Sequence, residues 1–223
     1  MKNIIIMLFS LALIACGGGG GGSTPSNVTT TDNNVAYTLF DMNVVKPGVN
    51  KTFKITGSDT TGATYTGTVS VVDRGVTVFS SKSVRQTDFI VSLTENNGAF
   101  ITTTGSVYGD TSTRAVLFSV DDAGVICTAT KSAAIPNTAK PGEFGSLSFL
   151  ACSDGTTESG SWRLEASTNS LAKIIYSFNN LDQSNNSAGN EEDTFTIDVN
   201  GNVKSVLLKF TTSSGVVLTL SGS

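Results

Sequence analysis

Apolar and polar residues alternate with a period of two through most of this chain. In YTGTVSVV, Tyr65, Gly67, Val69 and Val71 fall on one face, with Thr66, Thr68 and Ser70 on the other. Such alternation describes a strand with one buried and one wet side. FIVSL aligns Phe89, Val91 and Leu93 before Asn96-Asn97-Gly98 turns the chain. RAVLFSV aligns Val116, Phe118 and Val120, and Asp122-Ala123-Gly124 leads into VICTAT. Further on, Trp162, Leu164 and Ala166 face one way and Ser161, Arg163 and Glu165 the other. AKIIYSF places Ala172, Ile174, Tyr176 and Phe178 inward, and TFTIDV does the same with Phe195, Ile197 and Val199. Asn200-Gly201 is a strong hairpin signal, and VKSVLLKF and VVLTLSG complete the pattern around Ser213-Ser214-Gly215. The spacing predicts about a dozen strands in sequential hairpins, an all-β fold of antiparallel meanders.

Two halves echo each other. VVKPGVNKTFKITGSD from Val44 parallels TAKPGEFGSLSFLACSD from Thr138, sharing Lys-Pro-Gly, a strand and Ser-Asp. The reading is a first meander over 35–132 and a second over 133–223. They would pack as a sandwich or join edge to edge as a barrel, and periodicity does not choose between the two.

The N-terminus departs from this pattern. MKNIIIMLFSLALIAC carries one Lys before an apolar run of about twelve residues, short of the roughly 20 that a spanning helix needs. A charged start, a short apolar core and a small residue before the break describe a secretory signal over 1–15. Leu13-Ile14-Ala15-Cys16 resembles the lipobox of bacterial lipoproteins. That resemblance implies a diacylglycerol thioether on Cys16, cleavage before it and an acylated new amino terminus. Gly17 stands where inner-membrane lipoproteins typically carry Asp, which implies the outer membrane. One acyl chain holds a protein only reversibly, whereas three would hold it essentially permanently. Residues 16–34, with six consecutive glycines from Gly17 to Gly22, read as a flexible tether. As a coil it would span roughly 25 Å, and stretched about 60 Å. Polyglycine after such a Cys also resembles surface-displayed lipoproteins of Gram-negative pathogens, although periplasm-facing ones use glycine tethers too.

Composition sharpens the picture. Thr (31) and Ser (28) dominate the polar positions, and Thr suits a pleated, half-wet surface. Without Lys2 the mature chain has 13 basic and 18 acidic side chains and no basic cluster. Nothing there drives nucleic-acid or anionic-headgroup binding. With Cys16 assigned to lipid, Cys127 and Cys152 remain as an even pair in an oxidising compartment, where a disulfide is expected.

Catalytic constellations are mostly absent. The chain contains no His, so no Ser-His-Asp or Cys-His arrangement and no zinc cluster can form. Carboxylates can do glycosidase work alone, given two in an aromatic-lined cleft about 5–10 Å apart. The candidates are Asp121-Asp122, Asp154 with Glu158, and Glu191-Glu192-Asp193. The first reads as a turn and the last as a solvated run before a strand. Asp182, Glu191 and Asp193 with nearby Asn oxygens are a candidate Ca²⁺ site, but their spacing follows no known loop. Trp162, the only Trp, reads as core. The polar stretch NNLDQSNNSAGNEED reads as a long loop and the best contact surface, with Asn179, Asp182, Asn185, Asn190 and Glu191 as its candidate residues.

The expectation is therefore a lipid-anchored outer-membrane protein with a non-catalytic binding or envelope-structural module, needing no metal or cofactor and no nucleic acid. Its partner could be protein, glycan or lipid. A periplasmic carrier of a lipid or other hydrophobic ligand is the first alternative, and a carboxylate-based glycan hydrolase the second.

Overall fold

The computed structural model describes residues 34–39, Gly48 and 50–223. Cys16, the lipobox and most of the tether lie outside them. Among the described residues every regular element is a strand. The first run is β1 (Tyr37–Thr38), β2 (Asn50–Asp59), β3 (Thr64–Phe79), β4 (Lys82–Glu95), β5 (Phe100–Asp110), β6 (Val116–Val120) and β7 (Ile126–Lys131). The connecting segment holds β8 (Thr138–Ala139) and β9 (Phe144–Ser146). The second run is β10 (Phe149–Cys152), β11 (Thr157–Ala166), β12 (Ala172–Leu181), β13 (Ser187–Ile197), β14 (Val203–Thr212) and β15 (Val217–Gly222).

Of the two arrangements left open by periodicity, the chain adopts the barrel. β2 through β7 pair in sequence, β7 pairs with β10, β10 with β11, and the second meander runs on to β15. β15 then pairs with β2 from Leu218↔Asp59 to Gly222↔Ile55, which closes a twelve-stranded antiparallel wall. Six strands from 50–131 and six from 149–222 share that wall. Closure removes the unpaired edges that an open sheet would present.

The wall is apolar inward and polar outward. Phe53, Ile55, Val69, Val71, Val91, Leu93, Leu164, Ile174, Phe195, Ile197, Leu208 and Leu220 form one continuous core. Outside, Thr, Ser and Lys occupy the intervening positions, as with Lys54, Thr66, Lys173, Lys204 and Lys209. This polarity is the reverse of a membrane-spanning barrel, which puts its apolar band toward lipid.

Six hairpins at one end of the barrel are built alike. In residues 59–63, 95–99, 121–125, 152–156, 182–186 and 212–216, the first residue's N–H donates to the fifth carbonyl. The fourth N–H donates back to the first carbonyl. That geometry needs a positive φ at the fourth residue, supplied by Gly62 (94°) and, where no Gly stands, by Asn185 (59°). At the opposite end β1 and β8 form a small ladder across the opening. Tyr37, Leu39, Ile135 and Ala139 are buried there, and the Thr38 N–H donates to the Val199 carbonyl. Cys127 and Cys152 stand opposite each other on β7 and β10 and are disulfide-bonded, so the bridge joins the two meanders directly.

Candidate functional site

The polar stretch from Asn179 to Asp193 is no long loop. Asn179, Asn180 and Leu181 end β12, a five-residue turn covers 182–186, and β13 resumes at Ser187. The five expected contact residues are therefore dispersed. Asn179 faces outward on β12. Asp182 opens the turn and accepts hydrogen bonds from the Ser184 and Asn186 N–H groups, while Asn185 holds the positive φ. Asn190 and Glu191 lie within β13. The physical reason is hairpin pairing: β13 forms a ladder with β12 along its length, from Ser187↔Leu181 to Ile197↔Ala172, despite its polar composition.

Strand parity decides which of these side chains point inward. Glu191 and Asp193 have the same parity as Phe195 and Ile197, so they face the barrel interior, and only Glu192 of the acidic run faces out. The run expected to be solvated is thus mostly inside. On β11, Glu158 likewise shares parity with Trp162 and Leu164, both buried in the core. Interstrand register stacks these positions in tiers. Trp162, Tyr176, Asp193 and Leu208 form one tier across β11 to β14. Gly160, Phe178, Glu191 and Phe210 form the next. Glu158 pairs with Asn180 in the third, nearest the six turns.

The three carboxylates line an internal cavity of about 90 Å³. Its remaining described lining is apolar apart from Ser119 and Ser148, with Val69, Val91 and Phe89 from the first meander and Leu208 and Phe210 from the second. Among the described residues no Lys or Arg lines it. Asp193 is 2% exposed. Glu158 and Glu191 keep more accessible surface, but both line this cavity, where the surrounding apolar side chains take the place of bulk solvent and desolvation dominates.

Burial therefore sets their proton affinities. It pushes the Glu158 carboxyl up to about 7. It raises Glu191 well above the usual carboxylate range, helped by the negative charges of Asp193 and Glu158. Asp193 is also raised by burial, against which a hydrogen bond shared with Glu191 works in the other direction. Despite that bond, Oδ1 of Asp193 is buried with no hydrogen-bond partner. Three positions earlier on the strand, Oδ1 of Asn190 is in the same condition. An unpaired buried acceptor is costly, roughly 1–3 kcal/mol. Orphans of this kind mark places where a fold has kept a polar group for some reason other than stability.

Two shallower hollows adjoin the cavity. Glu158 also borders a small one at the turn end with Asp154, Asn180 and the Cys127–Cys152 bridge. Glu191 and Phe178 border an outer cleft of about 240 Å³ with Asn179, Asn190, Glu192 and Lys209.

The other expected groups resolve simply. Asp121 and Asp122 sit at a turn, where Asp121 accepts from the Val125 N–H and Asp122 from the Thr103 hydroxyl. Asp154 accepts from Thr156 in its own turn, and no aromatic side chain lines the hollow it shares with Glu158. Asp182 is committed to its own turn while Glu191 and Asp193 point inward, so the Ca²⁺ trio is not assembled. Among the described residues no group of three acidic or Cys side chains is placed to hold a metal ion. Trp162 is core, 5% exposed.

Fold and site together define a closed β-barrel with a polar outer face and an acidic group of side chains in a mostly apolar interior. No family model, no curated protein and no solved structure matches the chain.

Proposed function

We propose that this chain is a lipid-anchored, non-catalytic binding module of the outer membrane, with the carboxylate-lined cavity as its binding site. One observation carries the reading: Glu158, Glu191 and Asp193 line one hollow whose other described residues are apolar apart from Ser119 and Ser148. A cavity with a few convergent polar groups of shifted proton affinity is the usual form of a small-molecule site. The anchor rests on the lipobox-like Leu13-Ile14-Ala15-Cys16, and the polar outer wall supports a barrel held in water beside the bilayer.

Cavity size bears on the rivals. A cavity of about 150 Å³ is what takes up benzene, and this one is about 90 Å³. An acyl chain or a sugar ring would need the barrel wall to open, which weighs against lipid carriage and glycan hydrolysis and in favour of a small ligand.

Methyl NMR of the full-length protein in neutral detergent tests the site. Small apolar probes should shift Val69, Val91 and Leu208 saturably while leaving outward-facing Leu207 unchanged. A core that responds to no probe would remove the binding reading. Labelled palmitate should enter the wild-type protein and not the Cys16→Ala variant; equal labelling of both would remove the anchor.

A further inference from the structure

We infer that the end of the barrel crossed by β1 and β8 docks on the bilayer surface, with the tip of the β3–β4 hairpin seated at the boundary between headgroups and acyl chains. This rests on the anchor proposed above and adds how the domain is held against the membrane. β3 runs on from Asp73 to Phe79 past Val72, the partner of the first residue of β2, so the hairpin stands out from the wall on that side. Its two faces differ. On one, Phe79 stacks on Tyr108 with ring centroids 4.1 Å apart and packs beside Phe118 and the buried Val84. That cluster pins the hairpin to β5 and β6. On the other face Val76 and Val78, paired with Arg85 and Ser83, are 59% and 74% exposed. Bare apolar side chains on a hairpin held in place mark a contact surface.

Where the anchored segment joins the fold says what the surface meets. Asn34 is exposed, and three residues later Tyr37 enters the ladder at this same end. From Cys16 to Asn34 is 18 residues, roughly 25 Å as a coil. An anchored Cys16 therefore keeps this end beside the lipid, and a short link lets a weak apolar contact form within one tethered molecule. Charge acts in the same sense. The six turns at the far end carry Asp59, Glu95, Asp121, Asp122, Asp154 and Asp182 and no Lys or Arg, so an anionic leaflet repels that rim. At the docking end Lys82, Arg114, Lys140 and Lys204 stand among Asp110, Glu143 and Asp198, which leaves it mixed in charge. Phe100 is also exposed, but it follows the Glu95 turn and shares the acidic rim.

The test uses the full-length lipidated protein on vesicles of phosphatidylcholine and phosphatidylglycerol that carry nitroxide near the top of the acyl chains. Cys127 and Cys152 are bonded to each other and Cys16 is taken by lipid. A fluorophore therefore labels only an introduced thiol, Ser81→Cys in the hairpin tip or Ser184→Cys in a rim turn. Nitroxide lipid should quench the tip label and leave the rim label bright. Replacing Val76 and Val78 together by Ser should abolish quenching at the tip while the protein still floats with the vesicles, and Phe100→Ser should change nothing. Both valines are exposed, so the double variant keeps the packed core. Equal quenching of the two labels, quenching of neither on vesicles that retain the protein, or tip quenching that survives the double variant overturns the docking and leaves the anchor standing. Tip labels that quench one another without responding to nitroxide put a second copy of the chain there and overturn it as well. A protein that does not float with the vesicles removes the anchor, and the docking with it.

Discussion

Raising the pH from 5 to 8 should destabilise this barrel, contrary to the behaviour of a protein whose carboxylates are all solvated or paired. Glu158 has an ordinary value of 4.5 and is pushed up to about 7 inside the barrel. The folded state therefore holds its proton more tightly than the unfolded chain does. Stability from this group is fully present below about pH 4.5 and is lost as pH rises through about 7. At about 1.4 kcal/mol per pH unit, the loss from Glu158 alone is on the order of 3 kcal/mol. Glu191 and Asp193 are shifted in the same direction, so they deepen the loss. For a chain of this size about 3 kcal/mol corresponds to roughly 6–12 °C in Tm. On the acid side the trend reverses. Hydrogen bonds from Ser112 and Thr113 hold Asp110 well below the usual carboxylate range, and Lys204 with Asn202 does the same for Asp198. Their contribution is present above about pH 4 and is lost below it. A stability maximum near pH 5 is the result. Urea unfolding followed by Trp162 fluorescence at pH 4, 5, 6, 7 and 8 measures it, with Glu158→Gln as control. The variant should be more stable than wild type at pH 8 and should flatten the neutral limb. A wild-type curve that stays level or climbs from pH 5 to 8 would refute the buried-carboxylate account.

Three further expectations concern the frame around the site. Cys127 and Cys152 close a loop of 25 residues, so replacing both with Ala should lower stability by about 3.5 kcal/mol, read as a shift in urea midpoint at unchanged slope. No shift would mean that the β7–β10 seam holds without its bridge. Gly67 faces inward where β3 and β4 approach so closely that a Cβ would stand 1.9 Å from the Ser92 carbonyl oxygen. Gly67→Ala must therefore displace backbone and should cost more than about 3 kcal/mol, whereas Gly98→Ala, with open space around it and only an unfavourable φ, should cost about 1; thermal melts of the two variants rank them. Tyr37 is 2% exposed in the segment that covers the end opposite the six turns. Tyr37→Ala should cost about 3–5 kcal/mol, as aromatic-to-Ala changes in a core do, and should speed amide exchange at that end. Unaltered exchange there would mean that the β1–β8 ladder does not seal the opening.

The all-β class was legible because alternation needs only local information. Inward positions such as Val69, Val71, Phe89, Val91, Leu164 and Ile174 follow from parity alone, and the turns announced themselves through Gly98, Gly124, Gly201 and Gly215. Even the disulfide was a matter of counting. The site was harder to see. Glu191 and Asp193 share parity with Phe195 and Ile197, which is a local signal that they point inward. It was outweighed by the Asn, Ser and acidic residues around them, which on composition alone describe a loop. Nothing local could show that Glu158, more than 30 positions earlier, would join them.

Outside the stretch from Asn179 to Asp193, sequence by itself thus determined most of the strands and their turns, because side-chain alternation and turn chemistry act over two to five residues. Tertiary structure decided the rest. Pairing of β15 with β2 and of β7 with β10 turned two meanders into one closed wall. Register across β11, β12 and β13 set three carboxylates on adjoining tiers of its interior. Their charge became costly, and thereby informative, only when closure took them out of water. Desolvation depends on the whole enclosing wall, and no short stretch of the chain carries it.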